Sequence, residues 1–280
     1  MKPIRKGCND FKISTLGVAF CALMLATTEN AVAISFTGAV DVLGCALSEN
    51  TYVCEDSAIP SAAGVSVAAG VAVIMLGSGV MKGGTIVLLA GSAVQGDLEA
   101  LTTVTMTDAQ VTGNVKAGTT VTMTTSHVER NVWAGTTFTM NPYSHVGRNV
   151  SVGTTTILGV GAYVCQNIEG RATSTTALLG AGAYVNGNLT SMTTVTLGAG
   201  AYINGNVIAG TTATVGAGGY INGNVTAGTT VTFSGASICG NIDSVSQTPA
   251  DQVMTVFNKN CPPIQPQTRC TSINSMGENY

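Results

Sequence analysis

The stretch GAGAYINGNVIAGTTATVGAGGYINGNVTAGTTVTF, residues 198–233, states one pattern twice, 18 residues apart. The same pattern runs upstream and downstream. The residue that follows the glycine of NGNV aligns with Asp97, Asn114, Asn131, Asn149, Asn167, Asn188, Asn206, Asn224 and Asn241. Successive gaps are 17, 17, 18, 18, 21, 18, 18 and 17. So regular a period over nine units predicts a solenoid. Units this short, built from alternating rather than 3.6-periodic segments, cannot be helical repeats. The expected fold is all-β: a parallel β-helix (β-solenoid) of about ten 17–18-residue coils.

Two alternating runs recur in each coil. The first is TTVTM, residues 102–106, with copies such as TTFTM at 136–140 and TTVTF at 229–233. Val104, Val121, Phe138, Val195 and Val231 form one column, and Met106, Met123, Met140, Leu197 and Phe233 form a second. Period-2 alternation puts both columns on the inside. The second run contributes the inner column Val94, Val111, Val128, Val146, Val164, Val185, Ile203, Ile221 and Ile238.

Two outer columns follow once the inner ones are placed. The first is a Thr ladder flanking the inner valines: Thr103 with Thr105, Thr120 with Thr122, Thr137 with Thr139, Thr194 with Thr196, Thr212 with Thr214, and Thr230 with Thr232. Two middle coils interrupt it, with Thr155/Ile157 and Thr176/Leu178. The second is a ring ladder of His127, His145, Tyr163, Tyr184, Tyr202 and Tyr220.

The ends differ from the middle. Residues 1–33 read as a signal peptide: Lys2, Arg5, Lys6 and Lys12, an apolar run from Ile13 to Ala26, then Ala31-Val32-Ala33. Residues 34–60 form an irregular N-terminal cap, 61–242 the solenoid, and 243–280 a C-terminal cap helix with a Cys-bounded tail. In that last segment Thr248 is the expected helix cap, and Ala250, Val253, Met254 and Phe257 share a face. The apolar segment from Ser61 to Met81 is long enough to span a membrane, but its glycines and alternation favour buried strand.

Charge and cysteines bound the function. Removing Lys2, Arg5, Lys6, Lys12, Asp10 and Glu29 from 11 Lys+Arg and 14 Asp+Glu leaves 7 and 12, a net charge of −5. That balance argues against nucleic acid. Six cysteines remain: Cys45, Cys54, Cys165, Cys239, Cys261 and Cys270. An even number in an exported chain predicts disulfides, with Cys45–Cys54 and Cys261–Cys270 as local candidates. Cys165 and Cys239 share a column four coils apart, roughly 19 Å at about 4.8 Å per coil, so they cannot pair with each other. They are free or joined to terminal cysteines.

Catalytic chemistry is not indicated. Between Leu101 and Ile242 the only acids are Asp108, Glu129 and Glu169, and none repeats in a column. Asp97 and Glu99 read as a solvated strand end. The two histidines raise a metal site or pH switch, but they continue into the tyrosines as a ring ladder. Nothing in the pattern asks for a cofactor or metal. Asn149, Asn188 and Asn224 begin N-x-S/T sequons, yet one stacked turn column explains all of the asparagines.

The segment GSAVQGDLEALTTVTMTDAQVTGNVKAGTTVTM, residues 91–123, resembles the bactofilins, the polymer-forming bacterial cytoskeletal family. The likeness covers about residues 85–242. It implies a β-helix that polymerises end to end without nucleotide. The signal peptide, cysteines and C-terminal cap depart from that family. TLGAGAYINGNVIAGTTATVGAGG, residues 196–219, is also similar to secreted microbial ice-binding β-solenoids.

The sequence therefore predicts an exported protein, secreted, periplasmic or at the cell surface. Its expected role is a non-enzymatic structural scaffold or adhesin that assembles with itself end to end. Ice binding through the Thr ladder is the alternative, and glycan binding along the ring ladder a third reading.

Overall fold

In a computed structural model the chain is a parallel β-solenoid of about ten turns. The structure describes residues 33–39, 42, 44–55, 62–77, 79–170, 176–244 and 246–248. The expected signal peptide up to Val32, the expected cap helix beyond Thr248 and the tail cysteines Cys261 and Cys270 lie outside the described residues. Thr248, the expected helix cap, ends a strand, Ser246–Thr248, that pairs with Thr230–Thr232.

Each coil has three faces rather than the two read from the alternating runs. The face that was missed is a short V-x-A strand directly after the asparagine column. Val115–Ala117 pairs in parallel with Val132–Ala134, which pairs with Val150–Val152. Its inner residues, Val115 and Ala117 in one coil, are buried, and its outer one is Lys116. The second face carries the TTVTM strands: Thr120–Thr124 pairs with Thr137–Met140 in strict register. The third face carries two-residue strands such as His127–Val128 and Tyr202–Ile203. The first two faces belong to one 20-stranded sheet, because Asp97–Thr107 runs round their shared corner. The third face is a 12-stranded sheet.

The core is a stack of like residues. Val121, Phe138, Val195 and Val231 are fully enclosed, as are Met106, Met123 and Met140. The third-face column from Val94 to Ile238 is buried throughout. Each methyl packs on its counterpart one coil away, so hydrophobic burial and strand pairing select the same register.

The variation between 17 and 18 residues falls at one corner, between the second and third faces. Short coils cross it as Met106-Thr-Asp-Ala-Gln110 and long ones as Leu158-Gly-Val-Gly-Ala-Tyr163. Every crossing contains a left-handed residue. It is glycine in the later coils, including Gly161, Gly182, Gly200 and Gly218, but Asp108, Thr125 and Tyr143 in three earlier ones. The 21-residue coil takes its additional residues elsewhere, between the strands Ile168–Gly170 and Thr176–Leu179.

Strand structure also extends past the expected solenoid boundaries. Ile34–Phe36 pairs in parallel with Ala62–Val67, and Thr51–Cys54 pairs in parallel with Ala72–Met75. Cys45–Ser48 then turns back antiparallel on Thr51–Cys54, and the Cys45–Cys54 disulfide closes the hairpin. Phe36 and Tyr52 meet edge to face, with ring centroids 5.0 Å apart, and fill the end of the core. Within 62–75 the chain forms two strands, Ala62–Val67 and Ala72–Met75, joined by a turn at Gly70, in keeping with its alternation. Among the described residues no helix is long and apolar enough to cross a membrane.

Candidate functional site

The Thr ladder stands on the second face as two parallel columns. In the first, Thr85, Thr103, Thr120, Thr137, Thr155 and Thr176 are successive register partners, so this column is unbroken through the middle coils. It resumes as Thr194, Thr212 and Thr230. The second column runs Thr105, Thr122, Thr139, then Ile157 and Leu178, then Thr196, Thr214 and Thr232. Only this column carries the interruption. Leu178 is exposed, so the break is an apolar strip between two hydroxyl blocks. Neighbouring outward residues on one strand lie about 6.7 Å apart and neighbouring coils about 4.8 Å apart.

A further Thr column lies just before this face and was not singled out from sequence. Thr119 Oγ1 donates to Thr102 O at 2.7 Å, Thr136 to Thr119 O at 2.9 Å, and Thr154 to Thr136 O at 2.6 Å. Thr211 and Thr229 repeat the bond in later coils. The signal was the doubled threonine: its first member ties coils together and its second faces outward.

The asparagine column is the opposite corner's tie. Asp97 Oδ1 accepts from Asn114 N at 2.6 Å, and Asn131, Asn149, Asn167 and Asn188 each donate their backbone N to the preceding side-chain oxygen. Asp97 therefore starts a ladder and is not simply solvated. Glu99 sits between Lys116, at 2.7 Å, and Lys82, at 3.5 Å. The Lys116 hydrogen bond holds its carboxyl below the usual range.

On the third face the six predicted rings do form one ladder. His127 and His145 cross at 68°, His145 and Tyr163 at 89°, and Tyr163 and Tyr184 tilt by 42°. Tyr184, Tyr202 and Tyr220 stack nearly flat, at 5.0 and 4.9 Å. The two Nδ1 atoms of His127 and His145 are 2.9 Å apart, so the pair turns inward on itself. Burial holds His127 below the ordinary imidazole range, and burial first, then the adjacent tyrosines, raises Tyr202.

One expectation is corrected here. The ladder is not external along its whole length. Tyr163 is 6% and Tyr184 3% exposed, whereas Tyr202 and Tyr220 stay half-buried. Two residues beyond the rings a second polar column runs Cys165, Asn186, Asn204, Asn222, Cys239. Asn204 Nδ2 donates to Asn186 Oδ1 at 2.9 Å, and Asn222 Nδ2 to Asn204 Oδ1 at 3.2 Å. At its ends Cys165 Sγ lies 2.9 Å from His145 Nε2 and Cys239 Sγ 3.0 Å from Tyr220 Oη. Among the described residues no group of three or more His, Cys, Asp or Glu side chains is arranged to hold a metal.

Comparison with protein-family models, with curated proteins and with solved structures finds no match for this chain.

Proposed function

We propose that the mature chain is an exported, non-enzymatic structural rod, a surface scaffold or adhesin whose contact face is the Thr-bearing second face. The carrying observation is the unbroken register of the first Thr column from Thr85 to Thr176. Paired strands hold that face in register, and the Thr102–Thr119–Thr136 corner ladder braces it along one side. A surface so braced loses little conformational entropy when it docks against another flat surface. The hairpin over the N-terminal end blunts that edge for strand addition. It therefore favours side-by-side contact over the end-to-end joining that a bactofilin-like chain implies.

The test is sedimentation velocity and negative-stain microscopy of residues 34–280. Concentration-dependent lateral bundles are expected, and Thr122→Glu with Thr196→Glu should dissolve them. A wild type that remains monomeric at every concentration overturns the assembly reading.

A second reading rests on the two full hydroxyl blocks, Thr103–Thr139 and Thr194–Thr232. Their grid of hydroxyls and methyls suits ordered water, and hence ice. Thermal hysteresis that vanishes in Thr122→Tyr plus Thr196→Tyr is the expected result. No ice shaping by the wild type removes this reading.

A further inference from the structure

The residue before each asparagine of the corner ladder is glycine in most coils. An added Cβ at Gly205 or Gly223 would strike the backbone and the asparagine oxygen of the coil below. Three successive coils depart from this, with Arg130, Arg148 and Gln166, and all three are exposed. The two arginine coils are also the two histidine coils. They read SHVERNV, residues 126–132, and SHVGRNV, residues 144–150, where residues 201–207 read AYINGNV. No other arginine stands among the described residues.

The surroundings do not neutralise this pair. Arg148 N donates to Arg130 O at 3.3 Å, so the two arginines sit on consecutive coils, about 4.8 Å apart along the stack. Neither forms an ion pair with any described residue. Glu129 adjoins Arg130 in sequence, but burial outweighs the arginine's pull and raises its carboxyl above the usual range. The first face handles stacked charge differently. There Lys82, Glu99 and Lys116 alternate in sign along one column, and Glu99 holds both lysines. Like charges on adjacent strands with no acid between them repel each other. Gln166 continues the arginine column in the same sense. Its Oε1 accepts from Asn149 Nδ2 at 3.0 Å, which engages the acceptor and leaves Nε2 to donate. Over three coils the corner therefore offers donors: two guanidinium forks and an amide.

We propose that Arg130, Arg148 and Gln166 form a binding site for an oxyanion of the phosphate or sulfate class, free in solution or carried on a lipid headgroup. Each guanidinium is a planar fork that matches two oxygens of such a group. A tetrahedral anion has oxygens for both forks and supplies the charge that the column lacks. The site lies between the third-face strand His127–Val128 and the first-face strand Val132–Ala134. That is the one corner the Thr-bearing second face does not touch, so an anion held there leaves the Thr face open.

Isothermal titration calorimetry of the purified mature chain with sodium phosphate and sodium sulfate tests the free ion. Cosedimentation with phosphatidylglycerol vesicles tests the headgroup. Saturable binding in at least one arm, weakening as sodium chloride rises, is expected. Gln is the substitution to use, because the same column already holds Gln166. Arg130→Gln and Arg148→Gln should each weaken binding by about tenfold or more, the loss of one charged hydrogen-bonding group. The double variant should not bind, and the single variants carry the test if it does not fold. Phosphate or vesicles, whichever binds, should raise the melting temperature of the wild type and not that of the folded double variant. Lys116→Gln should bind as the wild type does, since Glu99 already holds that amine. Binding in neither arm, or binding that the arginine variants retain, overturns the proposal. An equal loss in Lys116→Gln also overturns it, because binding would then be diffuse attraction to basic charge.

Discussion

Thr156 shows how single positions carry the stack's defects. It stands in the inner column between Phe138 and Ala177, is 1% exposed, and its Oγ1 has no hydrogen-bond partner. A buried hydroxyl left unpaired costs about 1–3 kcal/mol. Thr156→Val keeps the shape and removes that cost, so the denaturant midpoint should rise by an equivalent of about 1 kcal/mol. Thr125 is a second such position. Its φ of 48° is left-handed, which a β-branched residue tolerates poorly. Later coils place glycine at this corner, and Thr125→Gly should stabilise by about 1 kcal/mol, measured the same way. Neither residue stood out by sequence, because Thr is common on every exposed strand of this chain. Both gain meaning only from the column they occupy.

At the scale of strands and corners, stacking makes each coil intolerant of bulk. At Gly135 an added Cβ would strike the Gly118 carbonyl oxygen of the coil below, which is backbone and cannot swing aside. Gly135→Ala should therefore lower the unfolding midpoint, at a cost of about 1–3 kcal/mol. The ring ladder has its own sensitivity, to pH. His127 has a folded pKa below its unfolded value of 6.5, so the unfolded chain takes up more protons as pH falls. Its stability contribution is complete above 6.5 and is lost as pH drops through the folded value. The facing Nδ1 of His145, 2.9 Å away, adds to this, since two imidazolium N–H groups would oppose each other. The melting temperature should fall below pH 6.5 in the wild type and less steeply in His127→Gln.

Across the whole molecule, the N-terminal end decides whether the rod stays discrete. Cys45–Cys54 closes a loop of nine residues, and the chain-entropy model assigns such a closure about 2–3 kcal/mol. Cys45→Ser with Cys54→Ser should loosen the hairpin and uncover the strand edge of Thr51–Cys54. Open strand edges recruit other chains. Negative-stain microscopy should then show rods joined end to end, which the wild type's lateral bundles lack. If the double variant sediments like the wild type, the hairpin is not what guards that end.

The repeat spacing alone determined the solenoid. A 17–18-residue period of alternating apolar residues admits one way to bury every Val, Ile and Met column, which is to stack like on like. The Thr and ring columns were legible for the same reason, since residues beside an inward column must face out. Other features needed tertiary structure. The V-x-A face was too short to show its own alternation, so only its pairing from coil to coil revealed a third side. The first threonine of each doublet differs from the second by hydrogen bonding, not by residue type. Above all, sequence made Tyr163, Tyr184, Tyr202 and Tyr220 equivalent, whereas burial separated the first two from the last two. Periodicity sets which way a side chain points; how deeply it is buried is decided by the packing around it in three dimensions.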